Sequence, residues 1–350
     1  MKASGIVADS VNGHQENLKN NPPTALTIGK FDGFHLGHQV LLDDIIKESN
    51  AKGYRSVCLK IVTKDSGIFS KEDSIFTEVD DNFFFRNLNK KINCLLDNKQ
   101  NNKQNNIQNI IQNNMTSSRA EVTLDYLCLD DICSMTPEEF VKDILVERYN
   151  VKFISVGQDF RFGAKRSGDV NILKELGRKY GFQCSIHEKL CQGDEVVSSS
   201  RIRQNLAEGN IEKVNELLGR DYSVLGDVEA GKQLGRTFGY PTINVSYEKD
   251  RLLPRFGVYA SKVKIFGSGS EPDEYKGITN IGIRPSVDDG DIPTVETFIL
   301  DYSGEEIYAR RVLIELEHFV RPEKKFASLD ELTKQIALDI ESVKSNIKHQ

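Results

Sequence analysis

The sequence predicts two domains of different class: an α/β domain built on a parallel sheet, followed by a small six-stranded β-barrel with a C-terminal helix. The chain has 350 residues, which is long for a single domain. Residues 24–63 read as strand, loop, helix and strand, which is the start of a parallel sheet. From Ser223 onward, short strand-like runs separated by turns take over, and this pattern favours a barrel.

The first domain is expected to span residues 1–219 and to begin its sheet with a strand at Thr24–Ile28. A glycine-bearing loop leads into a helix near His38, and the next strand covers Ser56–Val62. Apolar residues recur on one face of this helix at Val40, Leu41, Leu42, Ile45 and Ile46.

The later part of this domain is predicted to alternate strands and helices. Thr136–Glu139 predicts a helix start, because it combines a Thr cap, a Pro in the first turn and a Glu three residues after the cap. The other predicted elements are an ordered segment at Val122–Leu129, a strand at Phe153–Val156 and helices at 170–180, 200–207 and 210–218. Within 98–114, Asn and Gln supply 12 of 17 residues, so we expect a surface insertion near 97–116.

The second domain is expected to span residues 222–350, with the boundary near 219–222. Its predicted strands are Ser223–Glu229, Thr242–Tyr247, Val258–Phe266, Gly277–Ile281, Thr294–Asp301 and Arg311–Phe319. A last helix is predicted from the Ser328 cap, which has Glu331 three residues later.

Composition excludes several classes of protein. The net charge of -6 and the pI of about 5.7 argue against general nucleic-acid binding, which needs a basic surface. No apolar run approaches the length of a membrane span, and residues 1–13 lack the apolar core of a signal peptide. The six cysteines form no CxxC pair, as expected for free thiols in a reducing cytoplasm. We therefore expect a cytoplasmic protein that binds neither nucleic acid nor membranes; the sequence indicates no protein partner.

The sharpest motif is an HxGH placed between the first strand and the following helix. A helix N-terminus offers free N–H groups and a positive dipole end, which suit a phosphate. Gly37 lets the backbone approach a triphosphate closely, and His35 and His38 can hydrogen-bond the α-phosphate as charge builds in the transition state. Gly29 and Asp32, in the same segment, are assigned to phosphate binding. A pair of surface histidines is the alternative interpretation.

Two further segments support this site. The first follows a strand and contributes Gly157, Asp159 and Arg166. The second, Ser198–Arg203, opens a helix, and its hydroxyls, N–H groups and arginines suit the β- and γ-phosphates that leave as pyrophosphate. The residues assigned in this second segment are Ser199, Ser200, Arg201 and Arg203. A serine-rich helix cap with two solvated arginines is the alternative.

A second glycine-rich loop, Gly231–Pro241, directly precedes a Thr-x-Asn pair. Backbone N–H groups of such a loop can wrap phosphates. The residues assigned to this task are Gly231, Gly235, Arg236 and Gly239. Thr242 and Asn244 are two residues apart on a strand and so face the same side, where a hydroxyl and an amide oxygen can hold Mg²⁺.

Glu296 lies inside an apolar strand, where a carboxylate is costly without a partner or a task. A general base that takes a proton from a substrate hydroxyl fits this position. An outward-facing strand residue without a catalytic role is the alternative. Both candidate sites, the HxGH segment and the glycine-rich loop with its base, are therefore expected to handle phosphate. ATP is the expected co-substrate.

Together these motifs resemble those of the bacterial bifunctional riboflavin kinase/FMN adenylyltransferases, also called FAD synthetases. The resemblance runs over nearly the whole chain in the family's order and fades over roughly residues 60–120. The shared motifs are FDGxHxGH, GxDFRFGxxRxGD, SSxxIR, LGRxY, GRxxGxPTxN, GVY, NIGxRP and the strand glutamate Glu296.

The resemblance implies a Rossmann-like nucleotidyltransferase domain that transfers AMP from ATP to FMN, giving FAD and pyrophosphate. It also implies a barrel that phosphorylates riboflavin to FMN with ATP and Mg²⁺. By match, Thr242 and Asn244 would bind the metal and Glu296 would activate the ribityl 5′-hydroxyl. His35 and His38 would stabilise the transferring α-phosphate.

Several positions depart from the family's pattern. Lys60–Asp65 lacks the usual Pro-His-Pro stretch, and Asp130 and Asp131 stand about one residue from the position of an expected Asn or Asp. Residues that replace commoner types elsewhere are Lys30, Ser286 and Phe298. The first two departures touch flavin and metal binding in the adenylyltransferase half. They motivate an alternative: a riboflavin kinase whose first domain binds nucleotide or flavin without efficient catalysis.

Two other classes of function explain the motifs less completely. A non-catalytic flavin or nucleotide sensor has no need of a base such as Glu296. Other adenylyl- or cytidylyltransferases use the HxGH motif in the same way, but assignment to one of them would leave the second domain unexplained.

Overall fold

The structure, a computed structural model, describes residues 21–63, 75–76, 80–91, 121–229, 242–247, 251–267, 271–285, 291–302 and 307–347. The expected insertion near 97–116 and the glycine-rich loop 231–241 lie outside these ranges. The described residues fall into two compact units. The first is drawn from Met1–Phe31, Gly37–Ile68 and Asp81–Leu190, and the second from Asp32–Leu36, Phe69–Asp80 and Cys191–Gln350.

The first unit holds a five-stranded parallel sheet, which confirms the predicted class. Its strands are β1 (Thr24–Gly29), β2 (Arg55–Val62), β3 (Val122–Cys128), β4 (Val151–Gly157) and β5 (Gln183–His187). The spatial order is β3-β2-β1-β4-β5, so the chain changes direction between β1 and β4. In such sheets ligands bind outside the carboxyl ends of the strands at this switch point.

Helices cover the sheet. They are α1 (Leu36–Lys52), α2 (80–91), α3 (Leu129–Ile132), α4 (Pro137–Glu139, continued by Phe140–Arg148) and α5 (Val170–Tyr180). Strand residues such as Leu26, Leu59 and Ile154 form one buried core with Leu145 and Leu173. Burial of these side chains holds the carboxyl edge of the sheet in place.

The predicted capping box is present at the start of α4. Thr136 Oγ1 accepts from Glu139 N at 3.2 Å, and Thr136 N donates to Glu139 Oε2 at 2.8 Å. The helix then continues with π-helical hydrogen bonding over Phe140–Arg148, which sequence periodicity did not predict. Its predicted apolar face is buried, with Phe140, Leu145 and Tyr149 at most 3% exposed.

The second unit contains the predicted barrel of six strands. The strands are β8 (Tyr222–Glu229), β9 (Thr242–Val245), β10 (Gly257–Ile265), β11 (Asp273–Pro285), β12 (Asp291–Ile299) and β13 (Arg311–Pro322). The barrel is closed, with the strands in the order β10-β11-β12-β9-β8-β13. The last helix, α8 (Leu329–Ile347), has the predicted cap, since Glu331 N donates to Ser328 Oγ at 3.3 Å. It packs Ile340 and Val343 against Val258, Ala260 and Ile278 on the outside of the barrel.

The second unit also includes a short hairpin and two helices that precede the barrel. They are β6 (Cys191–Gln192), β7 (Glu195–Val196), α6 (Ser199–Glu208) and α7 (Ile211–Leu218). Gly209 and Gly219 end the two helices in the left-handed conformation, as their places after the apolar pattern suggest. The hairpin, like β5 and α2, was not predicted.

Within the described ranges no helix is long and apolar enough to cross a membrane. The five described cysteines are free, in line with the expectation from their spacing.

Candidate active sites

The loop between β1 and α1 carries the HxGH motif and has an unusual backbone. Phe31, Gly33 and Phe34 have φ values of 45°, 85° and 41°. The two phenylalanine rings are at most 1% exposed, so their burial offsets the conformational cost of the left-handed residues. The helix begins at Leu36, slightly earlier than predicted, so Gly37 and His38 occupy its first turn. Backbone N–H groups of this turn lack partners within the helix and suit an anion.

The His38 imidazole packs edge-on against the Phe31 ring. The two ring centroids are 5.1 Å apart, with an interplanar angle of 75°. Since the Phe31 ring is fixed by burial, this contact orients the imidazole.

His35 lies just before the helix and is buried, with 6% of its surface exposed. Burial lowers its pKa, a backbone hydrogen bond opposes this effect, and the charge of Arg220 adds a smaller lowering, so that the pKa is about 4. His35 is therefore neutral at neutral pH. A neutral imidazole can donate a hydrogen bond from one nitrogen.

Asp32 joins this loop to the start of α6. Its Oδ1 accepts from Ile75 N at 2.9 Å, and its other carboxylate oxygen forms an ion pair with Arg203. Its backbone oxygen accepts from Ser199 Oγ at 2.9 Å. The structure thus brings together three residues that the sequence assigned to the first site.

The remaining assigned residues of α6 lie nearby in the chain but have other partners. Ser198 caps the helix, with Oγ accepting from Arg201 N at 3.3 Å, and Ser200 is exposed. Arg201 forms an ion pair with Glu195 of β7. Arg201 and Arg203 both keep more than a third of their side-chain surface exposed, so each is accessible to a phosphate.

Gly29 and Gly157 are the last residues of β1 and β4, on either side of the switch point. Asp159, in the loop after β4, is exposed and lies 3.3 Å from the Lys189 ammonium. Arg166 is also exposed and has a φ of 59°. All four positions were assigned to ATP binding, and the two glycines lie where a ligand of the parallel sheet is expected.

The second half of the GxDFRFGxxRxGD motif, in the loop after β4, fixes the packing of that loop and the start of α5. A Cβ on Gly163 would lie 2.9 Å from Pro137 N, and one on Gly168 would lie 2.8 Å from the Phe162 ring. Asp169 caps α5, with Oδ1 accepting from Asn171 N at 2.9 Å.

Sequence analysis missed a polar cluster between α1, β4 and β5. Asp44 Oδ2 accepts from Ser155 Oγ at 2.9 Å and contacts His187 Nε2 at 2.8 Å. Burial raises the pKa of Asp44, but hydrogen bonds from His187, Ser185 and Ser155 outweigh burial and lower the pKa. His187 also accepts the Gln158 N–H at 2.8 Å through its backbone oxygen. No local motif marks this cluster, because it depends on the unpredicted strand β5.

The departures from the family pattern have visible consequences in the described residues. Lys60 lies in β2 beside Gly29 and forms a buried ion pair with Asp81, each side chain being at most 2% exposed. Asp130 and Asp131 are exposed in the first turn of α3. Ser286 lies outside the described residues.

The second candidate site lies on the outer face of the barrel. Asn244 of β9 pairs in register with Glu296 of β12, and Thr242 pairs with Phe298. The alternate residues of both strands point inward and include Val295, which is 1% exposed. Thr242 and Asn244 therefore share one side, as predicted, and Glu296 lies on the same side.

The donor set on this face fits a magnesium ion. A hydroxyl, an amide oxygen and a carboxylate are the hard oxygen ligands that Mg²⁺ prefers. Asn280 of β11 also pairs in register with Glu296, so a second amide borders the carboxylate. The assigned residues of the preceding loop lie outside the described ranges: Gly231, Gly235, Arg236 and Gly239.

These features define a class of protein: a parallel-sheet unit with an HxGH helix start, joined in one chain to a closed six-stranded barrel with an oxygen-donor face. The family model described as FAD synthetase matches residues 17–95 and 100–201, and the model described as riboflavin kinase matches residues 218–347. The chain belongs to the family of bifunctional riboflavin kinase/FMN adenylyltransferases.

Relatives of that name cover nearly the whole chain. The protein from Escherichia coli (strain K12) is 34% identical over 90% of this chain and 90% of its own length. The protein from Buchnera aphidicola subsp. Schizaphis graminum is 34% identical over 94% of this chain and 96% of its own length. A crystal structure described as a macrolide-efflux protein from Streptococcus pneumoniae covers 94% of this chain and 97% of its own, with a TM-score of 0.70. At 23% identity, that likeness shows the fold alone.

Proposed function

We propose that this enzyme phosphorylates riboflavin to FMN and then transfers AMP from a second ATP to FMN, releasing pyrophosphate and forming FAD. The observation that supports the proposal is that one chain carries two groups of residues suited to phosphate chemistry. One is the HxGH segment at the start of α1, and the other is the Glu296–Asn244 register pair on the barrel. ATP, riboflavin, FMN and FAD are the small-molecule partners.

In the adenylyl transfer, a phosphate oxygen of FMN attacks the α-phosphorus of ATP, and pyrophosphate leaves. His35, His38 and the first-turn N–H groups donate hydrogen bonds where negative charge builds. Gly29, Asp32, Gly37, Gly157, Asp159 and Arg166 are assigned to the ATP site. The leaving pyrophosphate is assigned to Ser199, Ser200, Arg201 and Arg203, which supply hydroxyls and cations.

In the kinase reaction, Glu296 accepts the proton of the ribityl 5′-hydroxyl as that oxygen attacks the γ-phosphorus of ATP, and ADP leaves. Thr242 and Asn244 would hold Mg²⁺, which neutralises charge on the phosphates. Gly231, Gly235, Arg236 and Gly239 of the glycine-rich loop are assigned to the ATP phosphates.

We place the division between the two functional domains at 219–222, giving an adenylyltransferase domain of residues 1–219 and a kinase domain of residues 222–350. The ranges of the two family matches support this division. We further propose that the enzyme works in the cytoplasm, where ATP is abundant.

A kinase with an impaired first domain is the second candidate function. The buried Lys60–Asp81 ion pair favours it, because it lies beside Gly29 where the family carries Pro-His-Pro. A buried pair fixes the local structure but leaves no uncompensated charge for a substrate.

Product analysis separates the two candidates. The protein is incubated with riboflavin, ATP and Mg²⁺, and the flavins are separated by chromatography over time. FMN that rises first and is then converted to FAD supports the bifunctional enzyme. FMN alone supports the second candidate. If neither FMN nor FAD is formed, both candidate functions are contradicted.

A further inference from the structure

Arg220, between α7 and β8, donates to backbone carbonyls of the loop that carries the HxGH motif. Its Nη2 donates to Gly33 O at 2.8 Å, and its Nη1 donates to Phe34 O at 3.1 Å. Nη1 also lies 3.3 Å from Leu218 O. One guanidinium therefore holds two successive carbonyls immediately before His35.

A buried aromatic pair fixes this guanidinium. The guanidinium carbon of Arg220 lies 4.9 Å from the centroid of the Phe76 ring, which stacks on Tyr222 at 5.4 Å. Arg251 lies over the same two rings, at 5.2 Å and 5.4 Å. Both rings are at most 3% exposed, so the contact is shielded from water and holds the Arg220 guanidinium in one place.

The loop requires such support because Gly33 and Phe34 are both left-handed, with φ values of 85° and 41°. A non-glycine residue in this region costs about 1–3 kcal/mol unless its surroundings fix it. The planar guanidinium meets both carbonyls at once in a fixed geometry, which the single ammonium of a lysine cannot match.

We propose that Arg220 is a positioning residue for adenylyl transfer, which fixes the backbone immediately before His35. It acts through the loop and not on a reacting atom. Arg220 lies in the segment that matches the riboflavin kinase model, residues 218–347. A residue of the kinase-matching segment thus serves the other reaction of the chain; the inference rests on the proposed adenylyltransferase function.

The loop has a second, separate anchor at Asp32, which binds Arg203, Ser199 Oγ and Ile75 N. Loss of Arg220 therefore shifts the backbone before His35 while the loop stays attached. The expected effect is on the chemical step, with folding retained.

The test compares the two activities of the full chain in an Arg220→Met variant, which keeps an aliphatic side chain against Phe76 but has no donor. We expect kcat for FAD formation from FMN and ATP to fall about 100-fold, as small displacements of catalytic groups do. The KM for FMN should change by less than about three-fold, because the group that is displaced, His35, acts in the transition state. The same preparation should phosphorylate riboflavin at the wild-type rate.

Two comparisons guard against a merely structural effect. Arg220→Lys should recover only part of kcat, and millimolar guanidinium should raise the kcat of Arg220→Ala. Arg311→Met is the matched control, since Arg311 pairs with Asp227 on the exposed barrel surface at 2.9 Å and should leave both activities unchanged.

The first measurement is FAD formation by the wild-type protein. Its absence contradicts the proposed adenylyltransferase and the role of Arg220 together. A wild-type protein that makes FAD and an Arg220→Met variant with unchanged kcat contradict the role of Arg220 alone. Equal losses of both activities in Arg220→Met, with no recovery of Arg220→Ala by guanidinium, also overturn it.

Discussion

At the scale of single residues, the two histidines of the HxGH motif have different surroundings. His35 is buried, and its pKa is lowered to about 4. His38 lies in the first turn of α1 with its ring against Phe31. In the proposed adenylyl transfer, a neutral His35 would donate a hydrogen bond without carrying charge, and the start of α1 would supply positive potential.

The lowered pKa of His35 predicts a pH-dependent contribution to stability. Since the unfolded chain binds this proton near the ordinary value of 6.5, neutral His35 contributes stability that is complete above that pH and is lost as the pH falls towards 4. The slope is at most about 1.4 kcal/mol per pH unit. The melting temperature of His35→Gln should fall less steeply than that of the wild type between pH 6.5 and 4.5. Identical pH dependence in the two proteins would contradict the buried, neutral state.

Glu296 is predicted to serve the kinase reaction alone. In Glu296→Gln the rate of FMN formation from riboflavin should fall about 100- to 10,000-fold, as for the loss of a general base. FAD formation from supplied FMN should be unchanged. Glu274→Gln is the matched control, because Glu274 is a largely exposed carboxylate on a barrel strand. Wild-type kinase rates in Glu296→Gln would remove Glu296 from the mechanism.

At the scale of elements, local sequence signals predicted helix caps, because a cap depends only on residues close together in the sequence. The capping box of Thr136 and Glu139 and the cap at Ser328 were both confirmed. The edge strand β5 was missed, because its residues are only partly buried and show no clear alternation. The π-helical segment was missed because i to i+5 bonding follows from packing and leaves no mark in the apolar period.

The loop after β4 yields a prediction about Gly163, which combines a φ of 72° with a close approach to Pro137. Gly163→Ala should destabilise the protein by about 1–3 kcal/mol through backbone strain, with an added steric cost. The matched control is Gly267→Ala, because a Cβ there meets nothing within 4 Å. Calorimetry of both variants measures the difference, and equal melting temperatures would show that the loop relaxes freely.

At the scale of the whole molecule, the sequence motifs indicated both candidate phosphate sites but not the contacts that hold the loop of the first one. Arg203 and Asp32 are 171 residues apart, and Arg220 and Gly33 are 187 apart. No local sequence pattern predicts such pairs, because their members are distant in the sequence and meet only in the folded chain. On the barrel, by contrast, the two-residue period of a strand was enough to place Thr242 and Asn244 on one side.

If one chain carries both reactions, with adenylyl transfer at the HxGH segment, then loss of His38 should stop the second reaction and spare the first. The most direct test is to supply riboflavin, ATP and Mg²⁺ to the wild type and to His38→Ala, and to follow FMN and FAD by chromatography. We expect FMN and then FAD from the wild type, and FMN that accumulates without conversion in His38→Ala. FAD formation that survives His38→Ala at the wild-type rate would place adenylyl transfer elsewhere, and a wild-type protein that makes no FMN would exclude the kinase reaction.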